Sequence, residues 1–167
     1  MKTRKIIFPL ENYKISGAKF LQNVSSWGIH LGEDCKAKAG DAVKSIYRGE
    51  IVYSALHPGS SQKGNWGNII IIRHKLLGKG QIFYSLYGHL GKGLENVGDK
   101  VKKGELVGYM GKAYSAENGW WPAHLHFAIY TGPWSGKILP GYYRKEQNRT
   151  KLSYWKNPTE WILKNSK

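Results

Sequence analysis

Two histidines lie one residue apart in the segment Ala123-His124-Leu125-His126-Phe127. Side chains of a β-strand alternate between its two faces, so His124 and His126 would share one face while Leu125 and Phe127 point to the other. Imidazole is the commonest metal-ligating side chain and the usual general base near neutral pH. A strand with an apolar back could therefore hold two imidazoles side by side for metal binding or proton transfer.

A histidine and a carboxylate stand four residues apart, at His30 and Asp34. Both can reach one cation if the chain between them bends tightly, which Gly32 permits. Zinc accepts imidazole nitrogen together with carboxylate oxygen, and catalytic zinc sites use three protein ligands and leave one position for water. With His126, this segment would supply that number of ligands. A further histidine, His89, is expected at the end of a strand.

The elements that must position these residues are expected to be strands. The chain has 21 glycines and little sustained 3.6-residue periodicity, which favours a mostly β protein with many turns. We expect a hairpin turn at 77–80 and a terminal helix or tail at 158–163 that docks through Trp161 and Ile162. Strands are predicted at 42–47, 49–55, 68–74, 81–86, 105–110 and 124–130, after a strand or extended arm at 5–10 and a short helical turn at 18–23.

A weak internal repeat suggests how the strands are arranged. Gly-Asp-x-Val at 40–43 precedes Gly-Glu-Ile-Val at 49–52, and Gly-Asp-x-Val at 98–101 precedes Gly-Glu-Leu-Val at 104–107. One hairpin design used twice predicts an antiparallel β-sandwich or open barrel of two similar hairpin-based halves, with little helix. No domain boundary is evident along the chain.

Bulk properties restrict the class of protein without choosing its partner. A chain of 167 residues is the size of one domain, and its net charge of +15 implies attraction to nucleic acid, an anionic membrane or an acidic cell-wall polymer. A basic surface that merely aids solubility remains an alternative. The lone cysteine, Cys35, excludes an internal disulfide and a cysteine-based zinc cluster, and we expect it to be a small buried hydrophobe.

No segment approaches the roughly 18 apolar residues that would span a bilayer. The basic N-terminus lacks the apolar stretch of a signal peptide because Pro9, Glu11 and Asn12 interrupt it. The chain is therefore expected to be cytosolic, to have an export signal elsewhere, or to be released by another route.

Three motifs, in this order, resemble those of the lysostaphin-type zinc peptidoglycan endopeptidases, the LytM-like metallopeptidase domains. They are His30-x-x-x-Asp34, Tyr87-x-His89-Leu90 and His124-Leu125-His126-Phe127, and the segments 40–43, 66–68 and 98–104 also resemble that family. The resemblance covers roughly residues 27–130. It implies a zinc metallopeptidase core over 27–130, with an N-terminal arm at 1–26 and a C-terminal extension at 131–167 packed on it.

The resemblance also implies a role for each residue of the motifs. His30, Asp34 and His126 would hold one Zn²⁺ per chain, His124 would be the general base, and His89 would assist it. Zinc-bound water would then attack a peptide carbonyl without a covalent intermediate. The implied partner is a peptidoglycan peptide or another anionic cell-wall polymer. The implied location of the protein is outside the cytoplasm, either in the periplasm, secreted or associated with the cell wall.

The chain departs from the family in places. Ala128 stands where the family often has Glu, and the lead-in Trp120-Trp121-Pro122 replaces a small, Gly-rich one. Trp120 and Trp121 could line a substrate groove, or one could pack on the core while the other is exposed. The remaining titratable residues considered, His57, His74 and Glu33, are expected to have ordinary roles. Each histidine is expected to be structural or solvated, and Glu33 is expected to be a solvated turn carboxylate.

Other functions stay open at this point. The same fold could serve as a non-catalytic cell-wall-binding or regulatory module, and a duplicated hairpin also suits lipoyl, biotinyl or phosphate carriers. No matching carrier-lysine hairpin is visible, and no nucleic-acid partner is expected because no recognisable RNA- or DNA-binding motif is present. We expect a monomer. Which peptide bond is cut, and whether the N-terminal arm folds over the zinc as an inhibitor, do not follow from the motifs.

Overall fold

The structure is a computed structural model that describes residues 6–93 and 96–166. Its twelve strands and one α-helix follow in chain order, with two short 3-10 turns at Lys145–Gln147 and Leu152–Tyr154. The elements are β1 (Asn23–Val24), β2 (Gly28–His30), β3 (Glu33–Lys36), β4 (Ala42–Lys44), β5 (Gly49–His57), β6 (Gly67–Lys75), β7 (Ile82–Gly93), β8 (Lys100–Val101), β9 (Leu106–Met110), β10 (His124–Tyr130), β11 (Tyr142–Tyr143), β12 (Trp155–Lys156) and α1 (Pro158–Asn165).

Two antiparallel sheets make up the fold, which confirms the prediction of a mostly β protein. The larger sheet has nine strands in the order β12-β10-β7-β6-β5-β8, with β3 pairing β10 and with β9 pairing both β4 and β7. The smaller sheet has the order β1-β2-β11. The two segments of the internal repeat pair with each other, because β4 lies against β9 and β5 lies against β8.

An isoleucine run on β6 separates two apolar cores. Ile70 and Ile72 pack into one core, and Ile69 and Ile71 pack into the other, as the two-residue period of a strand requires. All four side chains are at most 1% exposed, and burial of each contributes about 1.5–3 kcal/mol relative to exposure. The sheet is therefore covered on both faces where β6 crosses it.

Strand β10, which β7 separates from β6, carries the paired histidines. Its observed bounds are the predicted ones. Leu125 and Phe127 lie in the core that holds Ile70, whereas Ala128 belongs to the other core. The alternation of the strand therefore places His124 and His126 on the face opposite Leu125 and Phe127, as the sequence predicts.

Several predicted elements differ from the structure near the N-terminus. The helical turn expected at 18–23 is absent, because the backbone there pairs with β2: Leu21 N donates to His30 O and His30 N donates to Gln22 O. The described part of the predicted strand at 5–10 is irregular, and residue 5 lies outside the described residues. Pro9 has no N–H for a sheet, and the segment is held by single hydrogen bonds to the edge of the fold.

Strand β7 is longer than the predicted 81–86, because it continues to Gly93 through the Tyr87-Gly88-His89 segment. The hairpin turn at 77–80 and the terminal helix are both present. Helix α1 begins after Asn157, whose side chain accepts a hydrogen bond from Glu160 N, and it buries Ile162. No helix in the described part of the chain is long and apolar enough to cross a membrane.

Candidate metal and catalytic site

The pairing of β3 with β10 brings the first and third motifs together. In that register Asp34 lies directly opposite His126. His30 ends β2 and reaches the same point across the Leu31-Gly32 bend. A Cβ atom on Gly32 would lie 2.5 Å from Phe127 O and 2.8 Å from His126 Nε2, so only glycine permits the close approach.

Three potential ligand atoms form a nearly equilateral triangle at this point. His30 Nε2 lies 3.0 Å from His126 Nδ1, and Asp34 Oδ1 lies 3.2 Å from each of these nitrogens. Tetrahedral zinc with bonds near 2.0–2.1 Å separates its ligand atoms by about 3.3–3.4 Å. The triangle is close to that size, and its donor set of two imidazole nitrogens and one carboxylate oxygen suits zinc.

The hydrogen bonds around this triangle leave lone pairs facing one another. His30 Nδ1 lies 3.2 Å from Lys19 O and must donate to that carbonyl, so His30 Nε2 carries a lone pair. Asp34 Oδ1, which accepts hydrogen bonds only, has no well-formed hydrogen bond among the described residues. Two acceptors at this distance are favourable only when a cation or a proton lies between them. These residues therefore fit a metal ion.

The charge balance of the site favours an ionised Asp34 beside a neutral His126. Burial by itself would raise the pKa of Asp34, but the imidazoles of His126 and His30 outweigh burial and lower it. Burial lowers the pKa of His126 to about 4, although the contact with Asp34 works in the opposite direction. Neutral imidazole and ionised carboxylate are the protonation states that bind a cation.

His124 and His89 lie beside the triangle, each oriented by a backbone carbonyl. His124 Nδ1 donates to Pro122 O at 2.7 Å, and His89 Nδ1 donates to Asn118 O at 2.9 Å. The two ring centroids are 4.6 Å apart, and His124 Nε2 lies 3.7 Å from Asp34 Oδ1. Both Nε2 atoms therefore remain available as proton or hydrogen-bond acceptors.

The backbone around His89 is unusual for a strand. His89 has a φ of 63°, in the left-handed region, and the pKa of its buried ring is held well below its ordinary value, mainly by burial. A Cβ atom on Gly88 would lie 2.7 Å from the ring of Trp66, so the strand there packs tightly against that indole. Trp66 also contacts His126 edge-to-face with ring centroids 4.9 Å apart. Strained backbone of this kind is common at functional sites.

Asn118 is a site residue that the sequence did not single out. It is 0% exposed, and its side-chain amide donates to Trp121 O at 2.8 Å while its carbonyl accepts from Trp120 N and Trp121 N. These bonds fix the loop whose backbone oxygen orients His89. The Asn118-Gly119 pair is a typical turn signal, and this signal could have indicated a structured loop.

A groove of about 650 Å³ opens over the triangle. The residues that line it include Asp34 and the histidines of the second and third motifs, His89, His124 and His126. Aromatic side chains form much of the wall. Trp121 lines the groove, whereas Trp120 is not among the lining residues. A further part of the wall comes from residues 138–149 of the C-terminal segment, which no motif indicated. The aromatic wall residues are Trp27, Trp66, Trp121 and Tyr142.

Tyr142 reaches the site because β11 pairs with β2, placing it directly opposite His30. The two rings have centroids 5.3 Å apart. Burial raises the pKa of Tyr142 to about 12, and the negative charge of Asp34 adds to the shift. A neutral tyrosine hydroxyl thus lines the groove next to the metal triangle.

Glu33, His74 and His57 were predicted to have structural or solvated roles outside the ligand set. Glu33 is buried, with 1% of its surface exposed, so its prediction as a solvated turn carboxylate was wrong. The reason is the two-residue period of β3, which puts Glu33 on the same inner face as the fully buried Cys35. His74 is buried and hydrogen-bonded to Arg48 O and Ser85 Oγ, a structural role as expected. His57 bonds Tyr53 at the rim of the groove.

Comparison with known proteins places this site in context. A model of peptidase family M23 matches residues 28–138. Lysostaphin of Staphylococcus staphylolyticus is 35% identical over 101 residues, which is 60% of this chain but only 18% of the length of that protein.

Solved structures show the same fold. The catalytic domain of the antimicrobial peptidase lysostaphin from Staphylococcus simulans has a TM-score of 0.58 at 25% identity, over 91% of this chain and 93% of that one. LytU has a TM-score of 0.63 at 22% identity, over 93% of this chain and 88% of that one. A zinc containing peptidase from Vibrio cholerae has a TM-score of 0.58 at 22% identity, over 86% and 41% of the two chains.

Proposed function

Because this chain belongs to peptidase family M23, we propose that it is a zinc-dependent endopeptidase that hydrolyses peptide cross-links of bacterial peptidoglycan. The proposed core is residues 27–130, with 1–26 as an N-terminal arm and 131–167 as a C-terminal extension. We propose that it acts as a monomer outside the cytoplasm, where that polymer lies.

The observation that carries this proposal is the convergence of five side chains from three separate motifs. His30, Asp34 and His126 present their ligand atoms within 3.2 Å of one another, and His124 and His89 stand beside them with Nε2 free. A coincidental cluster of polar residues would not combine a metal-sized triangle with two imidazoles oriented by backbone carbonyls. The arrangement supports metal-assisted hydrolysis.

The roles of the residues follow from their hydrogen bonds. When bound, zinc would polarise the substrate carbonyl and lower the pKa of its water. His124 Nε2, whose partner nitrogen donates to Pro122 O, would accept a proton from the attacking water and return it to the leaving amine. His89 Nε2 is likewise an acceptor, so it can hold an O–H of the attacking water in line.

The groove supports an extended peptide substrate. It runs over the triangle between aromatic walls, and one of those walls comes from the C-terminal segment. Rigid aromatic walls exclude water from the reacting carbonyl, which strengthens the electrostatic interactions that stabilise developing charge.

The proposal is tested by incubating the full chain, loaded with zinc, with purified peptidoglycan and identifying the released peptides by mass. We expect new amino groups to appear, to be lost with chelator, and to return when zinc is added. Asp34→Asn should lose both zinc and activity, while Asp41→Asn, in a surface turn, should retain both. Wall binding without release of amines would instead favour the non-catalytic module, and chelator-resistant hydrolysis would overturn the metal mechanism.

A further inference from the structure

The charges that line the groove are unevenly distributed. Among the lining residues described, Lys63, Arg144 and Arg149 are cationic, and Asp34 alone is acidic. The carboxylate of Asp34 belongs to the metal triangle. The part of the groove available to a substrate is therefore lined by positive charge only, and an uncharged peptide would leave these cations without a partner on the substrate.

Arg144 is held in place more firmly than a surface arginine. Its Nε donates to Trp27 O at 2.9 Å, and its stem packs so closely on Gly28 that a Cβ atom there would lie 2.9 Å from Arg144 Cγ. The guanidinium has five N–H donors in a rigid fork, and this bond uses one of them. The remaining donors can form the paired hydrogen bonds that a carboxylate accepts.

Lys63 flanks the same part of the wall. The neighbouring Gly64 packs against the Trp121 ring, with a Cβ position only 2.4 Å from it, and Trp121 contacts Trp27 edge-to-face at 5.4 Å. Arg144 thus contacts Trp27, while Lys63 lines the same groove next to the glycine that packs on Trp121. Two cations on an aromatic platform raise the local concentration of an anionic group and orient it.

This positive platform lies a short distance from the metal triangle. Trp27 contacts Tyr142 with ring centroids 5.5 Å apart, and Tyr142 contacts His30 at 5.3 Å. These two steps separate the Trp27 ring from His30 by at most the length of about three residues of extended peptide. A substrate carboxylate some two to three residues from the scissile bond would therefore reach Arg144.

We propose that the groove selects wall peptides that carry a free carboxylate near the scissile bond, with Arg144 as the residue that binds this carboxylate. The effect of this selection on hydrolysis rests on the proposed peptidase function. The binding of the carboxylate by Arg144 does not. Arg149 and Lys63 add attraction at longer range. An amidated or uncharged peptide would enter the same groove without this contact.

The test uses two synthetic cross-linked wall peptides that differ only in one stem glutamate, present with its carboxylate free or as the amide. Binding is measured by calorimetry on the zinc-loaded full chain, and hydrolysis is measured separately. We expect the free carboxylate to lower Kd about tenfold, the effect of one good charge-assisted contact. The preference should shrink as salt screens the charges.

Variants separate the carboxylate contact from a general effect of charge. Arg144→Gln should abolish the preference by weakening only the carboxylate form, and Arg144→Lys should restore part of it. Lys145→Gln, which removes the neighbouring exposed cation outside the groove, should leave the preference intact. Equal binding of both peptides by the wild type, or an equal loss for both with Arg144→Gln, would overturn the inference. Selective binding without hydrolysis would overturn the proposed function and leave the carboxylate site standing.

Discussion

Tyr13 of the N-terminal arm donates its hydroxyl hydrogen bond to Glu33, the residue that directly precedes the candidate ligand Asp34. The same carboxylate accepts from Thr159 Oγ1 at 2.9 Å and from Thr159 N at the start of α1. The N-terminal arm and helix α1 thus both contact the buried side chain of Glu33 on β3. The buried face of this strand anchors them, while Asp34 faces the site.

Replacing Glu33 tests whether this anchor stabilises the fold. In Glu33→Gln an amide N–H₂ would face donors, and a buried polar group left without its partner costs about 1–3 kcal/mol. We expect the free energy of unfolding in urea to fall by that amount. The exposed Glu11→Gln in the same arm should change it by less than about 0.5 kcal/mol. Equal stability of both variants would show that the contact is not an anchor.

Replacing the two histidines of β10 should separate metal binding from proton transfer. His126→Ala removes a ligand, so we expect loss of both zinc and activity. His124→Ala should keep about one zinc per chain and lower kcat by about 10²–10⁴, the usual contribution of a general base. We would measure the zinc content by inductively coupled plasma emission spectroscopy and kcat on wall peptides. A His124→Ala enzyme with unchanged kcat would remove this residue from the mechanism.

Asn118 should act on catalysis through the loop that it fixes. In Asn118→Ala the amide bonds to the Trp120-Trp121 backbone are lost, and the carbonyl that orients His89 becomes mobile. We expect kcat to fall about tenfold, because orientation of catalytic groups is sensitive to small displacements. Zinc content should not change. The exposed Asn12→Ala serves as the control, and a variant that loses zinc instead would place Asn118 in support of the ligands.

His74 should make stability depend on pH below neutrality. Burial lowers the pKa of His74 to about 4 in the fold, against about 6.5 in the unfolded chain. Between these pH values the unfolded chain binds a proton at His74 that the native chain does not bind. The contribution of the neutral His74 to stability is therefore fully present above pH 6.5 and is lost as the pH falls toward 4. The loss is about 3 kcal/mol.

Urea unfolding at a series of pH values measures this slope. His74→Gln removes the titrating group, and the variant should show a shallower fall between pH 6.5 and 4 than the wild type, even if its stability at pH 7 is lower. An unchanged slope would show that protonation of His74 does not cause the acid sensitivity.

Strand β10 was predictable because its pattern is local. In the first four residues of β10 polar and apolar side chains alternate, and alternation by itself determines which side chains share a face. The same reasoning applied to β3 would have found Glu33, two residues before the core-facing Cys35. It was overlooked because a carboxylate next to a glycine bend resembles an exposed turn.

Apart from Trp121, the walls of the groove were not predictable in this way. Tyr142 lies opposite His30 through a strand pair that joins distant parts of the chain, and no periodicity in either segment specifies such a partner. The continuation of β7 beyond Leu86 was missed for a related reason. In the sequence Gly88 beside His89 is typical of the end of a strand, yet β7 continues past a register shift at this point and pairs with β6 again at Leu90.

The triangle of ligand atoms joins residues that are 96 positions apart, because His30 and His126 come from opposite ends of the motif region. A metal bound there would tie these ends together in a chain that has no disulfide. Since the site exists only after β3 and β10 have paired, the tie should slow unfolding and leave the rate of folding nearly unchanged. We therefore expect the working lifetime of the protein in the presence of proteases to depend on the supply of free zinc around it.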